Sequence, residues 1–125
     1  MIWTYPDTSR AIAHFSAGVV EVEVAFEESG QRWHVGFKVD GAANEVAYSA
    51  LEIFSGVFEA VLQFVTVREP QTIVFATDRP DLAEIYQTYL HKESKRFVAS
   101  GYHVDGQHRV LRRFKPSRWS VQLQA

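Results

Sequence analysis

Three stretches of this sequence predict an α+β fold, a mostly antiparallel sheet carrying two long helices. Residues 18 to 28, GVVEVEVAFEE, alternate apolar and acidic side chains, as a strand buried on one face does. An apolar run at helical spacing follows between Val46 and Val65. DRPDLAEIYQTYL, residues 78 to 90, then opens as a capped helix opens. The order is strands, helix, strand, helix, strands, within a single domain over residues 1–125.

Ile2 to Tyr5 and Ala11 to Phe15 read as short flanking strands. Next, Val20, Val22, Val24 and Phe26 fall on one face of a strand, with Glu21, Glu23, Ala25 and Glu27 on the other. After a turn at Ser29-Gly30 the pattern repeats in RWHVGFKVD, with Trp33, Val35, Phe37 and Val39 inward. His34 and Lys38 then face outward, where they are expected to lie across from Glu21 and Glu23.

Asp40-Gly41 ends the hairpin, and Asn44 stands where a helix cap belongs. From there to about Arg68 the apolar positions are Val46, Ala50, Leu51, Phe54, Val57, Phe58, Val61, Leu62 and Val65, and Pro70 stops the helix. Adding Ile53, Ala60 and Phe64 widens the apolar arc to roughly 200°, about twice the stripe a surface helix needs. Such a helix is either central or covered on a second side by a partner.

Thr72 to Ala76 is a continuous apolar run, typical of a strand buried on both faces. Asp78 is expected to cap the second helix, with Pro80 in its first turn and Asp81 and Glu84 near the positive end of its dipole. Leu82, Ile85, Tyr86, Tyr89, Leu90, Phe97 and Val98 make one buried stripe, Lys92, Lys95 and Arg96 sit late, and Gly101 ends the helix. Tyr102 to Val104 and Gln107 to Phe114 form a closing hairpin around a two-residue Asp105-Gly106 loop, and Pro116 breaks the second strand.

Composition narrows the function. The chain has no cysteine, which removes disulfides, thiolate catalysis and cysteine-ligated zinc together. Phe 9, Tyr 5 and Trp 3 point to a core or interface built on rings. The net charge of −2 conceals two unlike halves: residues 1–78 carry 4 Lys/Arg against 11 Asp/Glu, and residues 79–125 carry 9 against 4. The start lacks a basic segment leading into an apolar run, and Glu52, Glu59 and Gln63 interrupt the most apolar stretch, so a soluble, cytoplasmic protein is expected.

Candidate chemistry is sparse. His103 and His108 flank the Asp105-Gly106 turn, and in a two-residue hairpin they would face one another beside Asp105, a partial metal site short of the three or four ligands zinc takes. RVLRRFKPSRW, residues 109 to 119, interleaves Arg109, Arg112, Arg113, Lys115 and Arg118 with Phe114 and Trp119, a pattern suited to phosphates and stacked bases or to an edge strand guarded by cations. Glu21 and Glu23 share a solvent face, and no nucleophile constellation stands out. No catalytic, cofactor-binding or metal-binding residue is assigned.

TIVFATD, Ala83, Tyr86 and the Gly101-Tyr102 pair resemble part of the GNAT acetyltransferase superfamily. There a splayed strand precedes a helix carrying alanine and tyrosine, and a glycine-aromatic pair starts the next strand. The resemblance spans residues 72 to 105 and implies a GNAT-like topology. The superfamily grips pyrophosphate with Gln/Arg-x-x-Gly-x-Gly/Ala before its first long helix. At that place this chain has VDGAANEVAYSALE, with one glycine, no Arg or Gln, and the acids Asp40 and Glu45. LEIFSGVFEAVLQFV, TIVFAT and LAEIYQTYLHKESKRF…GY also resemble small uncharacterised bacteriophage proteins over much of residues 45 to 114, which implies a phage- or mobile-element-derived accessory protein and carries no site residues with it.

The expectation is therefore a non-enzymatic protein that binds another protein or itself, as a homo-oligomer. Ile53, Ala60, Phe64 and Val67 are the expected contact residues on the wide helix face, with Arg113, Lys115 and Trp119 as a second surface. The rivals are a nucleic-acid binder using Arg109, Arg112, Arg113, Lys115, Arg118 and Trp119, and a divergent acyltransferase of the GNAT type.

Overall fold

In a computed structural model that describes residues 1–41 and 50–116, the chain forms β1 (Ile2–Asp7), β2 (Arg10–Ala17), β3 (Val20–Ser29), β4 (Arg32–Gly41), α1 (Ala50–Arg68), β5 (Thr72–Phe75), α2 (Pro80–Lys92), α3 (Ser94–Ala99), β6 (Tyr102–Asp105) and β7 (Val110–Arg113). The strands make one sheet in the order β1-β2-β3-β4-β5-β7-β6. Every pair is antiparallel except β4 and β5, which α1 joins as a crossover and which therefore run parallel. The expected α+β class with a mostly antiparallel sheet is the observed one.

All three helices lie on one face of the sheet. One row of that face runs Trp3, Ala13, Val24, Phe37 across four strands, and its ends meet α1 at Phe64 and Phe54. The row behind the sheet is His14, Glu23, Lys38, and there Lys38 Nζ stands 3.4 Å from Glu23 Oε2, as expected. His34 lies opposite Glu27 and not Glu21, because the register pairs Glu21 with Asp40.

Rings fill the core. Phe64 stacks on Phe26 at 4.3 Å and meets Trp33 edge-on at 4.9 Å, while Phe58 stacks on Phe75 and on Tyr89. Gly56 lets α1 come down onto β2, since a methyl group there would run into the Phe15 ring. By length and composition α1 is apolar enough to cross a membrane, yet nine of its residues are buried in the protein's own core. Its wide apolar arc is met on one side by Trp3, Phe26 and Trp33, and on the other by Phe75, Tyr86 and Tyr89. Asn44 and Val46, the expected cap and first apolar position, lie outside the described residues.

Three local expectations are corrected. The second helix is not continuous: it breaks at Glu93 (φ −95°, ψ 9°), between α2 and α3. The polar run HKESKR offers no apolar residue to continue the stripe, and the break turns Phe97 into full burial against Phe58. Asp78 does not cap α2; the cap position is Arg79, whose N–H donates to Thr77 Oγ1 at 3.1 Å. The last hairpin has a four-residue loop, because Asp105 pairs with Val110 and its carboxylate accepts the His108 N–H.

Candidate interaction surface

β1 lies at the edge of the sheet with only β2 beside it, and its inward rings, Trp3 and Tyr5, overhang the last turns of α1. The β1–β2 turn is fixed by Asp7, whose carboxylate accepts hydrogen bonds from Ser9 Oγ, Ser9 N and Arg10 Nε at 2.8, 2.9 and 3.0 Å. The Ser9 hydroxyl is the main reason the Asp7 carboxyl titrates below its ordinary value. Trp3 Nε1 donates to Gln63 Oε1 at 2.9 Å, which ties the strand to the helix. Arg68 closes the end: its guanidinium sits 5.1 Å from the Trp33 ring centre and donates to the Thr8 carbonyl.

Between strand and helix runs a groove of about 410 Å³, lined by Trp3, Tyr5, Gln63, Phe64, Val67 and Arg68 among others. Its rim is apolar and solvent-facing at Tyr5 and Val67, which are 57% and 55% exposed, while Ile2 pairs with His14 and faces the back of the sheet. The backbone edge of β1 runs along it and, among the described residues, carries Pro6 where the register with β2 shifts.

A second cleft, of about 430 Å³, opens at the other end of α1. β4 and β5 pair only over Trp33 to Val35 and Ile73 to Phe75 and then part. Phe37, Val39, Ile53, Phe54, Leu82 and Ile85 form the walls, and Lys38, Arg79 and Asp81 the rim. Those charges have partners: Arg79 Nη2 lies 2.7 Å from Asp81 Oδ2 and Lys38 pairs with Glu23.

The expected helix-face contacts divide. Ile53, Ala60 and Phe64 are 3%, 0% and 2% exposed, so the sheet and α2 occupy the face thought to be spare. Only Val67 is at the surface, although Phe64 still floors the groove and Ile53 walls the cleft. Sequence reasoning missed Trp3 and Tyr5. Their signal was the inward-facing pair in IWTYP, followed by an edge-strand proline.

The basic segment does not form one surface. β7 is an interior strand and not an edge, since β6 pairs with its far side. The Arg113 side chain is 7% exposed: it pairs with Glu69 Oε1 at 3.2 Å, donates to the Ser100 carbonyl and lies over the Tyr102 ring, with its Nε unpartnered among the described residues. Arg109 donates to the Phe75 carbonyl, and Arg112 reaches Asp105 at 3.4 Å. Lys115 is exposed beside Phe114, while Arg118 and Trp119 lie outside the described residues. The two histidines are not opposed either: His103 pairs with Arg112 and packs on Phe114, whereas His108 sits in the loop with Nδ1 2.9 Å from Asp105 Oδ2. Among the described residues no three His, Asp or Glu side chains gather as metal ligands.

Comparison of the chain with protein families, with curated proteins and with solved structures finds no match.

Proposed function

We propose that this chain is a non-enzymatic cytoplasmic binding protein that docks another protein chain in the groove between β1 and α1. One observation carries this reading: Tyr5 and Val67, two exposed large apolar side chains, border one apolar groove beside the edge strand β1. Apolar surface is common on folded proteins, but its concentration around a groove marks a contact site. An open strand edge adds main-chain donors and acceptors for an extended segment, while the groove takes alternate side chains.

The test is to place a photo-crosslinking phenylalanine analogue at Val67, and in a second variant at Leu51, which is equally exposed on the same helix but away from the groove. A discrete protein adduct at Val67 and none at Leu51 is expected in expressing cells. Equal labelling at both, or none at either, rejects the groove.

A second reading, the divergent GNAT-type acyltransferase, draws on the early parting of β4 and β5 and the cleft it opens. Against it stands the sequence, which has the acids Asp40 and Glu45 where the superfamily's motif has Gln or Arg and glycines. Acetyl-CoA at about 100 times its Kd would stabilise a binding protein by roughly 2.7 kcal/mol. A melting temperature unmoved across an acetyl-CoA series is expected, and a clear rise would replace the first reading with this one.

A further inference from the structure

The division of charge along the sequence reappears as a division across the sheet face that carries no helix. On that face Glu21, Glu23 and Glu27 stand together on β3. Asp40 lies opposite Glu21 at the far end of β4, about 26 Å from Arg32.

Beyond β3 the sign reverses at one end of the sheet. Arg32 precedes the inward Trp33 and so points to the helix-free face. It stands beside Thr72, each one position before the Trp33–Ile73 pair of the parallel ladder. Thr72 pairs with Arg112, and Arg112 with His103. One row therefore runs Arg32, Thr72, Arg112, His103 across β4, β5, β7 and β6, and it contains no acid. Two strand spacings, about 10 Å, separate its arginines.

Both arginines are open to solvent. Arg32 is exposed and has no ion pair among the described residues. The Arg112 side chain is 52% exposed, and its guanidinium reaches only Asp105, at 3.4 Å, among the described residues. That carboxylate already accepts the His108 N–H and lies 2.9 Å from the His108 ring Nδ1.

The row ends on rings. Phe114, 42% exposed, packs on the His103 imidazole at 4.7 Å, and the Lys115 ammonium sits 6.0 Å from the Phe114 ring centre. Cations in a row beside an exposed ring, on a flat face, suit a polyanion with planar groups: guanidinium groups take phosphate oxygens, and the ring takes an unpaired base. A duplex keeps its bases stacked inside, and its major groove admits a helix or a two-stranded ribbon, neither of which projects from this face. An acidic peptide would meet the cations and leave the rings unused.

We propose that the helix-free face of the sheet binds single-stranded nucleic acid along this row, with phosphates on Arg32 and Arg112 and a base on Phe114 beside His103. The glutamates of β3 repel the strand and confine it to the β4–β6 side. The site lies on the opposite face from the groove between β1 and α1, so each stands or falls without the other.

The test is fluorescence anisotropy of labelled oligouridylate and oligothymidylate, about 12 nucleotides long, with the full-length chain over a salt series. Binding is expected to weaken roughly 10-fold between about 50 and 200 mM salt, as counterion release from two or three phosphates requires. Arg32→Gln and Arg112→Gln are each expected to weaken binding and to flatten the log–log salt slope by about 0.7. Phe114→Leu is expected to lose about 5-fold or more with the slope unchanged. Lys38→Gln, which alters the cation paired with Glu23 on the same face, is expected to bind as wild type. Should Arg112→Gln melt early, Arg32→Gln decides alone, since Arg32 has no described ion pair to lose. Failure to bind either oligonucleotide overturns the proposal, as does binding that Arg32→Gln leaves intact. A Phe114→Leu chain that binds as wild type would reduce the site to charge alone and overturn it too. Displacement by polyglutamate as readily as by unlabelled oligouridylate would make the occupant an acidic protein segment and overturn the assignment to nucleic acid.

Discussion

The two clefts at the ends of α1 are nearly equal in size, about 410 and 430 Å³, and both are walled by the same apolar arc. They differ at the rim. The groove beside β1 lies where the sheet ends, and its border carries the exposed apolar side chains of Tyr5 and Val67. The cleft beside β4 lies where the sheet divides, and its border carries Lys38, Arg79 and Asp81, each tied to an opposite charge. Volume therefore does not separate an exposed apolar groove from a solvated notch. The groove leaves apolar area in water that a partner would cover, whereas the cleft has its rim charges already compensated.

The largest effect that would sharpen this contrast is at the groove floor. Phe64→Ala removes a ring stacked on Phe26 and edge-on to Trp33, and is expected to cost about 3–5 kcal/mol. For a domain of this size that lowers the melting temperature by roughly 10–20 °C. Ile53→Ala, in the wall of the other cleft, is expected to cost less, about 2–4 kcal/mol. Thermal melts of the two variants decide it. If Ile53→Ala is the more damaging, α1 is anchored chiefly at its N-terminal end, and the groove floor is softer than its packing implies.

Next in size is a pH effect confined to the cleft end and the sheet beyond it. Burial pushes the Tyr86 phenol up to about 12, and burial does the same for Tyr102, whose hydroxyl donates to the Pro70 carbonyl. A tyrosine whose folded value is raised contributes stability that is fully present below 10 and is lost as pH rises towards 12. Alkaline unfolding is expected across that interval, and Tyr86→Phe is expected to soften it. An unchanged alkaline transition in Tyr86→Phe would show that this phenol is not as enclosed as the rings of Phe54 and Phe75 make it.

How far these regions were legible in the sequence follows from the range of the interactions that build them. The β3–β4 hairpin was readable residue by residue, since strict alternation fixes which side chains face the core and the turn fixes the register. The α1 arc was readable too, but its meaning was not. An apolar face covered by its own sheet and helix has the same spacing as one covered by a partner, so Ile53, Ala60 and Phe64 were expected outside and lie within. The four-residue loop after β6 depends on one carboxylate accepting a backbone N–H, a choice that the Asp-Gly pair does not announce. Arg113 shows the same limit. In the sequence it is one cation among several, and only the fold brings Glu69, Ser100 and Tyr102 around it.

A smaller effect on stability carries a large effect on binding. Val67→Glu exchanges one exposed side chain on the last turns of α1, so its melting point is expected to stay within about 0.5 kcal/mol of wild type. Partner binding in the groove is expected to be lost, because a carboxylate would be desolvated against Tyr5 and Phe64. Melts and crosslinking yield on the same preparation separate the two quantities. A variant that binds normally would place the docking surface elsewhere on the molecule.

The smallest expected effect lies on the rim of the other cleft. Lys38 faces solvent with 64% of its side chain exposed, and its contact with Glu23 is 3.4 Å long. A pair so exposed gains little Coulomb energy in water and loses side-chain freedom, so Lys38→Gln is expected to move stability by less than about 0.5 kcal/mol. It should also leave docking at β1 untouched, because Lys38 belongs to the far cleft, and Ile53 and Phe64 stand about 16 Å apart along α1. A Lys38→Gln chain that melts as wild type but loses its crosslink at Val67 would mean that the two ends of α1 act together. Their separation into a docking groove and a solvated cleft would then have to be abandoned.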